Sequence, residues 1–389
     1  MLDFRFLSPT EIIFGKGTET AAGEECKKYG KKVLFHYGGQ SIKKSGLYDA
    51  IVASLKAAGL DFVELGGVQP NPRLRLVREG IRLCREEGVD FILAVGGGSV
   101  IDSAKAIALG VPYGGDVWDF YIGQAQPGQA LPTGAVLTLP ATGSEASRAS
   151  VITDQDSGLK RSVNFEPSRP RFAIMNPELT FTLPPFQTAC GVADIMSHAM
   201  ERYFTAVPHV ELTDRLCEAV LKTVINNAPM VLSEPENYDA RAEIMWAGTL
   251  AHNDLLTTGR VSDFASHMIE HELSAFNDVA HGAGLAIVFP AWMRYVYKHD
   301  VARFVRFAAE VWNVEPSYFL PERTALEGIK RLRAFFRSLG LPVSLAEIGV
   351  YPEHFEALAK NTRRFKGGKV GNFVKLDTDD IIEILRLAQ

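Results

Sequence analysis

Through its first half the chain alternates short apolar runs with amphipathic stretches. KKVLFHYGG (31–39), DFVELGGV (61–68), VDFILAV (89–95), GAVLTLP (134–140) and the start of RFAIMNPELTFTLPP (171–185) end in glycine or proline, which predicts buried strands closed by turns. A shorter β-like run at Thr10–Phe14 breaks at Gly15 and Gly17 and leads into a polar helical segment. Between the strands, Ser45–Gly59 sets Leu47, Ile51, Leu55 and Ala58 on one helical face. Pro70-Asn71-Pro72 forces a turn, Arg73–Glu87 reads as a charged helix, and Val100–Leu109 reads as another. Strands alternating with helices predict a parallel sheet covered on both faces. Beyond the Pro184-Pro185 break strands become scarce and helical periodicity runs to the end. The pattern therefore predicts an α/β domain over 1–183 and a helical domain over 184–389.

Composition narrows the class. The 389 residues are 47% hydrophobic and 22% charged, as in a globular protein long enough for two cores. A net charge of −5 offers no basic field for nucleic acid or an anionic membrane. No apolar run reaches the ~18 residues of a membrane span, and MLDFRFLSPTEIIFGKG lacks the basic and apolar regions of a signal peptide. Cys26, Cys84, Cys190 and Cys217 are scattered without a CxxC pair. That argues against a disulfide framework or a cysteine zinc site, and a reducing cytoplasm is the expected compartment.

Two loops could hold a polar ligand. Gly96-Gly97-Gly98-Ser99 separates the third long strand from its helix, and such a turn frees backbone N–H groups for phosphate. Asp102 falls in the first turn of the expected helix, suited to its dipole or to a nucleotide's carboxamide or hydroxyl. Ile101 stands where the usual dinucleotide fingerprint has its third glycine, so GGGS alone reads equally as a plain turn. The hydroxyl-rich ATGSEAS (141–147) follows another strand at the sheet's carboxyl edge.

Histidines carry the remaining signal. His267 and His271 are four apart in SDFASHMIEHELSAFNDVAHGAGLAI, and His281 sits among small residues that would let backbone or ligand come close. Asp194 and His198 are likewise four apart in CGVADIMSHAME, on a stretch otherwise apolar on that side. A carboxylate and imidazoles at this spacing can chelate one divalent ion, with two or three donors coming from the first stretch. His252 and Asn253 read as a buried, hydrogen-bonded polar pair. His36, His209, His299 and His354 have no partner at useful spacing, and the charge run Asn361–Lys369 reads as a solvated loop.

The ordered blocks PTEIIFGKG, YGGQSIKKSG, PNP, AVGGGSVIDSAKAIA, VLTLPATGSE, FTLPP, GVADIMSH, EPENYDARAEIMWAGT, SHMIEHELSA and HGAGLAIVFPAWM span nearly the whole chain. Together they resemble the iron-dependent (group III) alcohol dehydrogenases, in the branch of butanol dehydrogenases and NADPH-dependent aldehyde reductases. The resemblance implies a Rossmann-like N-terminal domain, an all-helical C-terminal domain, a cofactor cleft between them, and the fold shared with dehydroquinate synthase. It implies one divalent metal, Fe2+ or else Zn2+, on Asp194, His198, His267 and His281. It places Gly97, Gly98 and Ser99 at the cofactor pyrophosphate and Asp102 near the nicotinamide carboxamide. Thr138, Leu139 and Thr142 would line the adenosine side, with Asn71, Val151 and Lys160 completing the site. Gly38, Gly39 and Ser41 form the turn where NAD-preferring relatives carry an aspartate for the ribose hydroxyls. Small residues there, with Lys43 and Lys44 nearby, predict NADP(H) over NAD(H), although Gln40 replaces a glycine common in NADPH-using relatives.

The implied reaction moves hydride between the cofactor and a small aliphatic aldehyde or primary alcohol. His271 is then the non-ligand histidine, either relaying a proton to the product oxygen or orienting the metal site. A polyol dehydrogenase acting on 1,3-propanediol, lactaldehyde or glycerol is the near alternative. A lyase like dehydroquinate synthase would need a Lys, Arg and Asn cluster and a Glu-led metal set, and the intact ligand set and glycine loops speak against a non-catalytic metal and nucleotide binder. The run at Thr10–Phe14 resembles the family's intersubunit strand, which predicts a homodimer.

Overall fold

The computed structural model describes residues 1–363 and 368–389. Asn361–Arg363 of the charge run end the helix Pro352–Arg363, and 364–367 lie outside the described residues. The strands are β1 (Glu11–Phe14), β2 (Lys32–Tyr37), β3 (Asp61–Leu65), β4 (Phe91–Gly97), β5 (Thr133–Leu139), β6 (Ala149–Asp154), β7 (Leu159–Asn164) and β8 (Phe172–Met175). Six of them form one sheet in the order β1-β8-β5-β4-β2-β3, with every neighbouring pair parallel.

Alternation along the strands explains the near-continuous apolar runs. Leu34, Ile92, Ala94, Ala135 and Leu137 pack on one face with the helices Leu74–Glu87 and Gly98–Gly110. Val33, Phe35, Leu93, Val95 and Val136 pack on the other with Ala22–Lys27 and Leu47–Ala57. A sheet buried on both faces needs apolar residues at odd and even positions alike.

Two expectations change here. β4 runs on through Gly96 and Gly97, pairing with Leu137 and Leu139 across a register shift, and the helix begins directly at Gly98. The GGGS segment is thus strand end and helix start rather than a separate turn, and Asp102 lies beyond the helix's first turn. The antiparallel hairpin β6–β7 went unpredicted because LKRSVN carries polar residues that read as loop, yet Lys160 and Arg161 are buried.

From β2 the chain passes outward to β3, then returns across to β4 on the other side of β2. The connections leaving the carboxyl ends of β2 and β4 therefore diverge, which is where open parallel sheets bind ligands.

The chain divides into two compact units. One holds Leu7–Leu183 together with Pro235–Asn253; the other holds Met1–Phe6, Pro184–Glu234 and Asp254–Gln389. A single cut after residue 183 therefore misses two exchanged segments. The second unit is helical, and Phe204, Phe289, Trp292, Phe304 and Phe307 form its aromatic centre, with Phe204 stacked on Phe304 at 4.7 Å. Buried Asp214 ties its elements together by accepting from Arg260 and Arg303. Among the described residues no helix is long and apolar enough to cross a membrane.

Candidate active site

In the α/β unit the expected nucleotide contacts gather at the carboxyl ends of adjacent strands. Gly38 and Gly39 follow β2, and Ser41 opens the short helix Ser41–Lys44. Gly97, Gly98 and Ser99 join β4 to its helix, and Thr138 and Leu139 end β5. A Cβ at Gly98 would stand 2.3 Å from Oγ1 of Thr142, so the close approach of these two segments requires glycine. No side chain caps the helix Gly98–Gly110, which leaves its first N–H groups for another acceptor.

Asp102 is a scaffold group as the structure places it. One oxygen accepts from Ser144 Oγ at 2.5 Å and the other from the Val151 amide at 3.0 Å. Burial raises its pKa, opposed by Lys105. Lys105, one turn further and fully buried, donates Nζ to the carbonyls of Ser144 (2.6 Å), Ser147 (2.8 Å) and Ala149 (2.8 Å). Burial lowers its pKa to about 8, against the pull of Asp102 and Glu145. Asp102 and Lys105 together clasp the segment that carries Thr142 and Val151. Sequence reasoning missed Lys105, although a lysine three residues from an aspartate in an apolar helix was visible in AVGGGSVIDSAKAIA.

Asn71 takes a left-handed backbone (φ 54°), and its Oδ1 accepts from Lys160 Nζ at 2.9 Å, both side chains being buried. His252 ends the helix Tyr238–His252 with Nδ1 2.5 Å from the Thr142 carbonyl, and Asn253 is buried beside it in sequence. His36, expected to lack partners, sits in the core of β2 with Nδ1 on the Leu65 carbonyl and Nε2 on Ser103 Oγ. Burial lowers its pKa to about 4. His354 likewise has a partner, accepting from the Tyr351 amide.

The helical unit brings the four expected metal ligands together. Asp194 and His198 share a face of Pro185–Tyr203, His267 is in Ala265–Asn277, and His281 opens His281–Val296. Gly282 makes the last placement possible, since a Cβ there would lie 1.9 Å from the Cys190 carbonyl oxygen. The close approach expected around His281 is thus helix backbone against helix backbone.

The Nε2 atoms of His198, His281 and His267 lie 3.5, 3.7 and 3.8 Å from Oδ1 of Asp194. These separations exceed hydrogen-bond length. Ligands about 2.1 Å from one tetrahedral ion would stand roughly 3.4 Å apart. Asp194, His267 and His281 offer donor atoms all within 4.8 Å of one another and could share one cation, with His198 Nε2 beside the same carboxylate oxygen. Asp194 Oδ1 and His267 Nε2 are also buried without a hydrogen-bond partner, which is costly unless something else satisfies them. A cation of the first transition row suits this oxygen and nitrogen set.

Two buried glutamates that sequence reasoning passed over back two of these histidines. Glu201, one turn past His198, accepts from Nδ1 of His267 at 2.8 Å and from its backbone amide at 3.1 Å. Its other oxygen accepts from the amide of Phe264 at 2.5 Å. Phe264 precedes the helix in a left-handed conformation (φ 64°), which a bulky residue adopts only when held. Glu270 contacts Nδ1 of His281 and takes a hydrogen bond from Ser274. The signal was present as one glutamate three positions after His198 and another three after His267, hidden because Glu is common on helices. Burial works against a charge on His267, yet the Asp194 and Glu201 carboxylates outweigh it and raise its pKa to about 9. His271 is half-buried, its ring 5.6 Å from that of His281.

Known proteins share this arrangement of sequence and fold. Residues 9–177 match the iron-containing alcohol dehydrogenase family and residues 188–389 its C-terminal part. A probable NADH-dependent butanol dehydrogenase 2 of Bacillus subtilis is 47% identical over 99% of both chains. NADPH-dependent aldehyde reductase YqhD of Escherichia coli is 39% identical over 92% of both. The crystal structure of NADH-dependent butanol dehydrogenase A from Thermotoga maritima superposes with a TM-score of 0.96 at 42% identity, covering 100% of this chain and 99% of that one. The chain belongs to the iron-containing alcohol dehydrogenase family and is an oxidoreductase of the alcohol dehydrogenase class.

Proposed function

We propose that the chain interconverts small aliphatic aldehydes and primary alcohols, with butanal and butanol as the type, by hydride exchange with NADP(H). A single divalent cation, Fe2+ or alternatively Zn2+, would be held by Asp194, His198, His267 and His281. The observation that carries this reading is the convergence of three imidazole nitrogens on one buried carboxylate oxygen. When bound, the cation supplies Lewis acidity that polarises a carbonyl and stabilises the developing alkoxide.

The remaining tasks fall to the protein. Gly97, Gly98 and Ser99 would anchor the pyrophosphate at the bare helix start, with Thr138, Leu139, Thr142, Val151, Asn71 and Lys160 around the nucleotide. Asp102 would order the Thr142–Val151 segment and approach the carboxamide with what hydrogen-bonding capacity it keeps. His271, one turn from His267, would return a proton to the product oxygen.

NADP(H) preference rests on the acid-free turn Gly38-Gly39-Gln40-Ser41. Relatives named for NADH and for NADPH both resemble the chain closely, so NADH use is the second reading. A polyol substrate is the second reading for chemistry, since a relative among solved structures is a 1,3-propanediol oxidoreductase at 26% identity. The Asp-His-His-His set speaks against dehydroquinate-synthase-like chemistry. β1 lies at one edge of the sheet with Phe14 exposed, which suits pairing with a second copy in a homodimer. Four free cysteines suit a reducing cytoplasm.

The test is cofactor oxidation with butanal, glyceraldehyde and no aldehyde, using NADPH and NADH, on metal-stripped protein before and after Fe2+ or Zn2+. Metal-restored, butanal-dependent oxidation of NADPH is expected. Aldehyde turnover unaffected by stripping would refute the metal role, and a clear advantage for NADH would refute the cofactor preference.

A further inference from the structure

We propose that Glu201 and Glu270 are positioning residues for the cation site, each fixing the tautomer and ring angle of one ligand histidine. The inference rests on the metal reading above. An imidazole can offer Nε2 to a cation only if its ring proton sits on Nδ1, and a carboxylate facing Nδ1 selects that form. Glu201 faces Nδ1 of His267 at 2.8 Å, and Glu270 faces Nδ1 of His281. In both rings Nε2 then points at Oδ1 of Asp194.

The surroundings show that these glutamates are built in rather than incidental. Both are fully buried, and a buried carboxylate is costly unless its oxygens are matched. Gly284 leaves the room Glu270 occupies, since a Cβ there would lie 2.8 Å from its Cγ and Oε1. Ser274 donates to Glu270 Oε1 and also reaches the Val279 carbonyl at 3.1 Å. Glu201 spends both oxygens on N–H donors at the start of the His267 helix: Oε1 on His267 and Oε2 on the strained Phe264.

This difference in partners predicts a rank order that a bulk charge effect would not produce. In Glu270→Gln the amide oxygen still accepts from His281, and the amide NH2 donates to the Ser274 hydroxyl, which can turn toward Val279. In Glu201→Gln the NH2 must confront an amide N–H, so one of the three bonds is lost to donor against donor. Gln should therefore rescue position 270 but not position 201.

The experiment titrates metal-stripped full-length protein with Co2+ against a chromophoric chelator, recording the cobalt absorption bands, with each variant's folding checked by circular dichroism. Wild type should bind one Co2+ per chain. Glu201→Ala, Glu270→Ala and Glu201→Gln should bind about 10- to 100-fold more weakly with altered bands, while Glu270→Gln stays within about tenfold of wild type. Alanine variants that bind Co2+ with wild-type affinity and bands would overturn the proposal. So would equal losses for both glutamines, which would point to charge alone. Should an alanine variant not fold, the two glutamine variants decide by their rank. If wild type binds no Co2+, the metal reading fails and this inference falls with it; wild-type binding without the rank order sinks only the positioning roles.

Discussion

Oδ1 of Asp194 and Nε2 of His267 face each other 3.8 Å apart, both buried and neither hydrogen-bonded. A native core rarely leaves two such atoms unmatched. A cation between them would satisfy both at once, and binding to the folded state alone stabilises it by mass action. Stripped protein should therefore gain about 4 kcal/mol at a free Zn2+ concentration a thousandfold above Kd. Urea unfolding with and without chelator measures the gain, and coincident curves would contradict it.

His271 and His267 lie one helical turn apart and should fail differently when changed. His267→Gln removes a ligand and should empty the site. His271→Gln should leave the metal in place and lower kcat by about 100- to 10,000-fold, the scale of a lost general acid. Elemental analysis alongside steady-state kinetics separates the two, and wild-type turnover in His271→Gln would end the relay assignment.

A buried neutral histidine makes the α/β unit sensitive to acid. His36 is lowered to about 4 in the fold by burial, while an unfolded chain would protonate it near its usual 6.5. Between those values the unfolded state binds the extra proton, so stability is complete above about pH 6.5, falls as pH drops toward 4, and levels below that. The shift corresponds to about 3 kcal/mol. Denaturant unfolding from pH 7 to pH 4 should show this slope in wild type and lose it in His36→Gln; parallel slopes would contradict the account.

The cofactor turn offers a direct reversal. Nothing stands within 4 Å of a Cβ built on Gly39, so an aspartate side chain fits there. Gly39→Asp should repel a 2′-phosphate and cut kcat/KM for NADPH at least about tenfold, with NADH affected less. An unchanged ratio of the two would place the ribose elsewhere.

The parallel sheet was legible because its strands are buried on both faces, and runs such as VDFILAV admit few other readings. β6–β7 was not, since Lys160 and Arg161 are polar residues that read as loop, and a buried partner of Lys160 is Asn71, 89 positions away. The histidines showed through their spacing, because one helical turn is a local property. Glu201 and Glu270 did not, because their role depends on which rings they face across helices. Lys105 hid in the same way: its three carbonyl partners lie more than thirty residues away, in a segment that reads as loop.

Calorimetric titration of metal-stripped wild type and Asp194→Ala with Zn2+ tests the central claim most directly. One site per chain in wild type and none in Asp194→Ala is the predicted result. Absence of binding in wild type, or equal binding by Asp194→Ala, would contradict it.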